Sequence, residues 1–127
     1  MILFDTSVLV DSLCGPRRSL PTLVRALDRG ERLILSSIVA YEWLRGPRTI
    51  EELSAQEELF PCASAIPFEP ADAQLAAKLY KSLRRARSRE ADIAIAACAI
   101  RHDTHLWTLN LSDFADIPGL RLYDSKE

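Results

Sequence analysis

Short apolar runs alternate with segments of helical period along the whole chain, and this alternation constrains the fold more than any other feature. The runs are Met1-Ile2-Leu3-Phe4, Arg32-Leu33-Ile34-Leu35-Ser36, Ala65-Ile66-Pro67-Phe68, Leu106-Trp107-Thr108-Leu109 and Leu120-Arg121-Leu122-Tyr123. Between them the pattern predicts helices. One runs from about Leu20 to Arg29 and is closed by Gly30; another is capped by Ser36-Ser37, carries Glu42 and ends at Gly46-Pro47. Thr49 to Phe60 opens on a capping box formed by Thr49 and Glu52, and a further segment from near Pro70 repeats Leu75, Leu79 and Leu83. The last, Arg89 to Arg101, is apolar on nearly every side after its first turn, which requires burial. Apolar runs without polar alternation are strands covered on both faces, so the expected fold is α/β, an α/β/α sandwich of three layers around a mostly parallel, twisted sheet. Ala65 to Phe68 is the weakest strand, because Pro67 has no amide hydrogen to give a ladder.

With 127 residues, 48% hydrophobic and 27% charged, the chain reads as one globular domain spanning 1–127, without repeat or linker. A net charge of −2 provides no global attraction to nucleic acid, so any such contact falls to local patches. The densest is Lys78, Lys81, Arg84, Arg85, Arg87 and Arg89. Cys14, Cys62 and Cys98 are widely separated, and His102 and His105 lack partners at zinc-finger spacing, which suits idle thiols in a reducing compartment. The N-terminal run is too short for a signal peptide, and no stretch approaches the ~20 apolar residues of a membrane span. A cytoplasmic protein with no membrane association is expected.

Four acids are placed to meet. Asp5 ends the first strand, Asp92 stands in the first turn of the buried helix, Glu42 lies mid-helix after the second strand, and Asp113 follows the fourth. Ligands of parallel sheets bind beyond the carboxyl ends of the strands, where Asp5 and the 110–113 segment fall. Each acid also has a structural explanation: a turn cap for Asp5, a solvated helix face for Glu42, a helix N-terminus for Asp92, a turn for Asp113. If they converge, two carboxylates about 5 Å apart repel by roughly 3 kcal/mol at an effective dielectric near 20. Such a cluster demands protonation or a cation, and oxygen-only ligands select Mg²⁺ or Mn²⁺. A divalent ion so held favours phosphate-ester hydrolysis.

Asp5-Thr6-Ser7-Val8-Leu9, then Glu42 with Arg45-Gly46, then Asp92-Ile93-Ala94-Ile95-Ala96-Ala97, then Thr108-Leu109-Asn110-Leu111-Ser112-Asp113-Phe114, resemble in order and approximate spacing the motifs of PIN domains. The likeness is to the VapC-type toxins of prokaryotic toxin–antitoxin pairs. It implies a PIN-like fold and a metal-dependent ribonuclease that hydrolyses RNA phosphodiesters with a metal-activated water, leaving a 5′-phosphate and a 3′-hydroxyl. By that resemblance Asp5, Glu42 and Asp92 are the metal-binding acids, Asp113 the fourth, Asn110 a supporting polar group, and Ser7 a hydroxyl that orients the first acid. It further implies a cognate VapB-like antitoxin and a homodimer. Arg45, Arg48, Arg84, Arg85 and Arg87 are expected to touch RNA or the antitoxin. Trp43 and Trp107, set among apolar residues, are read as core rather than base-stacking groups. A haloacid-dehalogenase-like phosphatase needs a second Asp where Ser7 stands. The remaining alternative is a catalytically inactive PIN-like scaffold that binds RNA or a partner; three retained acids argue against it.

Overall fold

The computed structural model describes residues 1–125. Four strands, β1 (Ile2–Phe4), β2 (Leu33–Ile34), β3 (His105–Trp107) and β4 (Arg121–Leu122), form one sheet in the order β2-β1-β3-β4. Every pairing is parallel, with Leu3 opposite Ile34 on one side and Leu106 on the other. Successive strand side chains point to opposite faces, yet Ile2, Leu3 and Phe4 are all buried, as are Leu106 and Trp107. Both faces are therefore covered, and the expected layering is found.

Seven helices are described: α1 (Thr6–Leu13), α2 (Leu20–Asp28), α3 (Ser37–Arg45), α4 (Ile50–Leu59), α5 (Pro70–Ser82), α6 (Glu90–Arg101) and α7 (Leu111–Phe114). Their starts follow the chemistry of the sequence. Ser36 accepts from the Val39 amide at the head of α3, and Thr49 and Glu52 close a reciprocal capping box on α4. Gly30, at φ 84°, takes the left-handed conformation that turns the chain after α2 towards β2. Helix α6 packs against α5, α3, α7 and β3, so its apolar girdle from Ile93 to Ala99 is enclosed as predicted.

Three local expectations change. Ala65 to Phe68 contributes a single parallel bridge, Ser36 with Ile66, because Pro67 cannot extend the ladder. The helical repeat reaches Leu83 in the sequence, but α5 stops at Ser82, Arg85 adopts φ 52°, and a 3₁₀ turn (Ala86–Arg89) leads into α6. Helix α1, for which the apolar periodicity gave no signal, fills the segment after Asp5; the Asp5 cap and the Gly15-Pro16 stop are its sequence marks. No helix among the described residues is long and apolar enough to cross a membrane.

Candidate active site

Asp5 stands where β1 becomes α1 and is only 3% exposed. Its backbone amide donates to the carbonyl of Trp107, continuing the β1–β3 pairing to the edge of the sheet. Its Oδ1 accepts from Ser7 Oγ at 2.5 Å and, at 3.4 Å, from the Val8 amide, so it caps α1. Its Oδ2 accepts from Thr108 Oγ1 at 2.6 Å. Burial raises the Asp5 carboxyl above its ordinary range, and the Ser7 and Thr108 hydroxyls oppose that rise.

The same two hydroxyls fix a second strand end. Ser7 Oγ accepts from the Leu109 amide at 3.1 Å, and Thr108 Oγ1 accepts from the Asn110 amide at 2.9 Å. Each gives its one proton to Asp5 and takes a backbone amide with a lone pair, so the 108–110 segment is held against the first acid. That segment opens α7, in which the Asp113 amide donates to the Asn110 carbonyl. Asp113 is exposed, as is Asn110, whose side chain makes no cap bond.

Glu42 approaches from α3. Thr6 Oγ1 donates to its Oε1 at 2.6 Å, and Arg45 lies 3.6 Å from its Oε2, one helical turn on. Asp92, in the first turn of α6, is half-buried, and its carboxyl is pushed up to about 6. Burial is the chief cause, followed by the charges of Asp113, Asp5 and Glu42. Asp92 thus stands near enough to the other three acids to feel the charge of each. Arg89 opposes the rise at Asp92, but its hydrogen bonds go to both oxygens of Asp116 and to the carbonyls of Asp113 and Arg84. A set of oxygen donors with one carboxyl lifted by its neighbours fits a hard divalent cation.

The PIN domain family description matches residues 2–120. The chain belongs to the PIN domain family. It is similar to Ribonuclease VapC19 of Mycobacterium tuberculosis, with 33% identity over 95% of this chain and 98% of the relative. Among solved structures, a toxin–antitoxin complex from Klebsiella pneumoniae matches with TM-score 0.73 and 27% identity, over 100% of this chain and 99% of the other. The DNA-bound VapBC of Salmonella typhimurium shares the fold with TM-score 0.77 at 21% identity, covering 98% and 97% of the two chains.

The other residues singled out in this PIN domain fall into distinct places. Arg84 and Arg85 are exposed beside Asp113, whereas Arg87 is exposed but does not line the same pocket. Arg48 turns inward, donating from Nε to the Trp43 carbonyl at 3.0 Å with its guanidinium 4.2 Å from the Trp43 ring. Trp43 and Trp107 are core residues, leaving Tyr41 and Leu44 as the exposed apolar groups of α3. Thr6 and Thr108 have no assigned role in the sequence motifs, and the structure makes them partners of Glu42 and Asp5. Their signal was adjacency to an acid or a strand end, which hydroxyl residues share with many turns.

A second acidic group needs a different reading. Among the described residues, Glu69, Asp72 and His102 are the set whose ligand atoms come within 4.8 Å of one another. Arg101 already bonds there, with Nε on Asp72 at 2.5 Å and Nη2 on Glu69 at 3.1 Å, and Asp72 also accepts from the Glu69 amide. Burial pushes the Asp72 carboxyl up, but those hydrogen bonds and the Arg101 charge outweigh it and hold the group below its ordinary value. This cluster ties the start of α5 to the end of α6, where helix dipoles favour that order of charges.

Proposed function

We propose that the chain, acting over 1–127 as a single PIN domain, is a Mg²⁺- or Mn²⁺-dependent endoribonuclease and the toxin of a pair with a VapB-like antitoxin. The observation that carries this reading is the hydrogen-bonded placing of Asp5 and Glu42 at the end of β1, with Asp92 and Asp113 near enough for their charges to act on one another. Likeness to a ribonuclease over nearly the full length of both chains supports it.

Asp5, Asp92 and Asp113, with Glu42, would hold the ion. Bound there, a divalent ion lowers the pKa of water and offsets charge developing on the phosphodiester. The chain's own groups do the positioning. Ser7 and Thr108 fix the plane of the Asp5 carboxylate, and Oδ2, which accepts from Thr108, keeps a lone pair for the ion, while Oδ1 already accepts from Ser7 and Val8. Thr6 fixes Glu42, while Asn110 presents its amide side chain on the exposed rim. The hydroxyls of Thr6, Ser7 and Thr108 each give their proton to an acid that would hold the ion, which leaves water as the nucleophile. Direct hydrolysis by water, leaving a 5′-phosphate and a 3′-hydroxyl, is the matching reaction class. Tyr41 and Leu44 flank Glu42 with exposed apolar surface that suits an antitoxin segment blocking the site, and a homodimer belongs to the same reading.

The test is cleavage of defined tRNA, ribosomal and messenger RNA fragments by purified protein with Mg²⁺, Mn²⁺ or EDTA. Cleavage that requires metal and is lost in Asp5→Ala is expected. No cleavage of any RNA with either metal would overturn the reading in favour of an inactive scaffold.

A further inference from the structure

Beside the acids the molecule builds a cationic pocket of about 330 Å³, lined by Arg84, Arg85, Arg89, Ser112, Asp113 and Asp116. We propose that it is a subsite for a backbone phosphate of the RNA strand, next to the phosphate that is cut; the inference rests on the nuclease reading above. A carboxylate cluster by itself repels a polyanion, and the net charge of −2 gives no general attraction to compensate. Counter-charge must therefore come from groups on the rim of the site.

The turn after α5 supplies it in a fixed form. Arg85 holds φ 52°, a conformation that residues with a Cβ rarely adopt. Its neighbours sustain it: Ser88 donates both its amide and its hydroxyl to the Arg85 carbonyl, at 3.2 and 3.0 Å. Arg89 Nη1 donates to the Arg84 carbonyl at 3.1 Å, while Nη2 reaches the Asp113 carbonyl at 2.7 Å. Arg89 also forks onto Asp116, so it works as a positioning residue that joins the turn to α7 and neutralises one of the two acids in the wall.

Arg84 and Arg85 are left with guanidinium groups that make no side-chain hydrogen bond or ion pair among the described residues. Guanidinium forks match phosphate oxygens in a bidentate geometry. Asp113 is shared by the pocket and the acid site, so a phosphate here is one neighbour along a strand whose scissile bond lies at the acids. That sharing favours a substrate strand over an acidic protein segment.

The experiment compares the parent protein with Arg84→Ala/Arg85→Ala, both residues being exposed. For cleavage, KM is expected to rise about tenfold with kcat changed less than about twofold. Binding is read separately by fluorescence anisotropy of a short single-stranded RNA, with each protein carrying Asp92→Asn so that nothing is cut. The slope of log Kd against log salt should shrink by about 0.7, the value for one phosphate on a single strand. A poly-glutamate peptide of equal charge should show no comparable loss, and the Mn²⁺-dependent rise in melting temperature should match the parent. An unchanged slope and KM would overturn the subsite, as would a larger loss for the peptide than for RNA. Failure of the parent to cleave any RNA would overturn the nuclease reading instead, while the binding slopes still decide the pocket.

Discussion

Without divalent metal at pH 7.5, Asp92→Asn is expected to melt at a higher temperature than the parent protein. The Asp92 carboxyl titrates near 6 rather than 3.8, so its ionised form is disfavoured in the folded state. A folded-state value raised in this way means that the Asp92 contribution to stability is fully present below about pH 4 and is lost as the pH rises through about 6. The unscreened ceiling on that loss is about 3 kcal/mol, and solvent at a half-buried group reduces it to about 1–2 kcal/mol. Asparagine forfeits the attraction of a charge for the α6 N-terminus, about 0.5 kcal/mol, which leaves a net gain of about 1 kcal/mol. For a chain of this size that is a rise of roughly 3–5 °C. Thermal melts by circular dichroism in EDTA, run from pH 4 to pH 8, test it. The difference should vanish near pH 4, where the parent is itself protonated, and Mn²⁺ should raise the parent more than the variant by mass action. A variant less stable than the parent at pH 7.5, or an advantage that persists unchanged at pH 4, would refute repulsion among the acids as the source of the shift.

Two further outcomes follow from named contacts. Thr108→Val removes the hydroxyl that donates to Asp5 Oδ2 and accepts from the Asn110 amide, so Asp5 should titrate higher and the acid limb of the pH–rate profile should move to higher pH; an unmoved limb, with only a lower melting temperature, would reduce Thr108 to a structural role. Asp72→Ala removes a buried carboxylate that accepts from the Glu69 amide at the head of α5 and from the exposed Arg101, and should cost about 1–2 kcal/mol in urea unfolding, while the Mn²⁺-dependent rise in melting temperature persists, because that cluster is a structural tie.

Much of this was legible in the residues. The sheet was readable because Met1 to Phe4 and Leu106 to Leu109 are apolar without alternation, a pattern that parallel strands share with little else of that length. Ser36, Thr49 and Glu52 announced helix starts through local hydrogen bonds that need no tertiary context. What escaped was set by contacts between distant parts of the chain. Thr108 meets Asp5 across 103 positions, and Thr6 meets Glu42 across 36, which no local window registers. The turn from Arg84 to Arg89 escaped for a related reason. Its residues favour helix by propensity, but bonds from Arg89 to Asp113 and Asp116 hold it in another form.

The bridge from Thr108 to Asp5 also has a consequence in time. A polypeptide is made from its N-terminus, so Asp5 and the hydroxyl of Ser7 leave the ribosome long before the segment that completes their surroundings. Until β3 slots in beside β1, the amides of Leu109 and Asn110 and the hydroxyl of Thr108 are not at the first acid, and Asp113 is not at Asp92. The centre is therefore inert throughout most of translation and assembles late, when the third strand docks. An acid site of this kind cannot close until residues 105–113 have been made and β3 has taken its place beside β1.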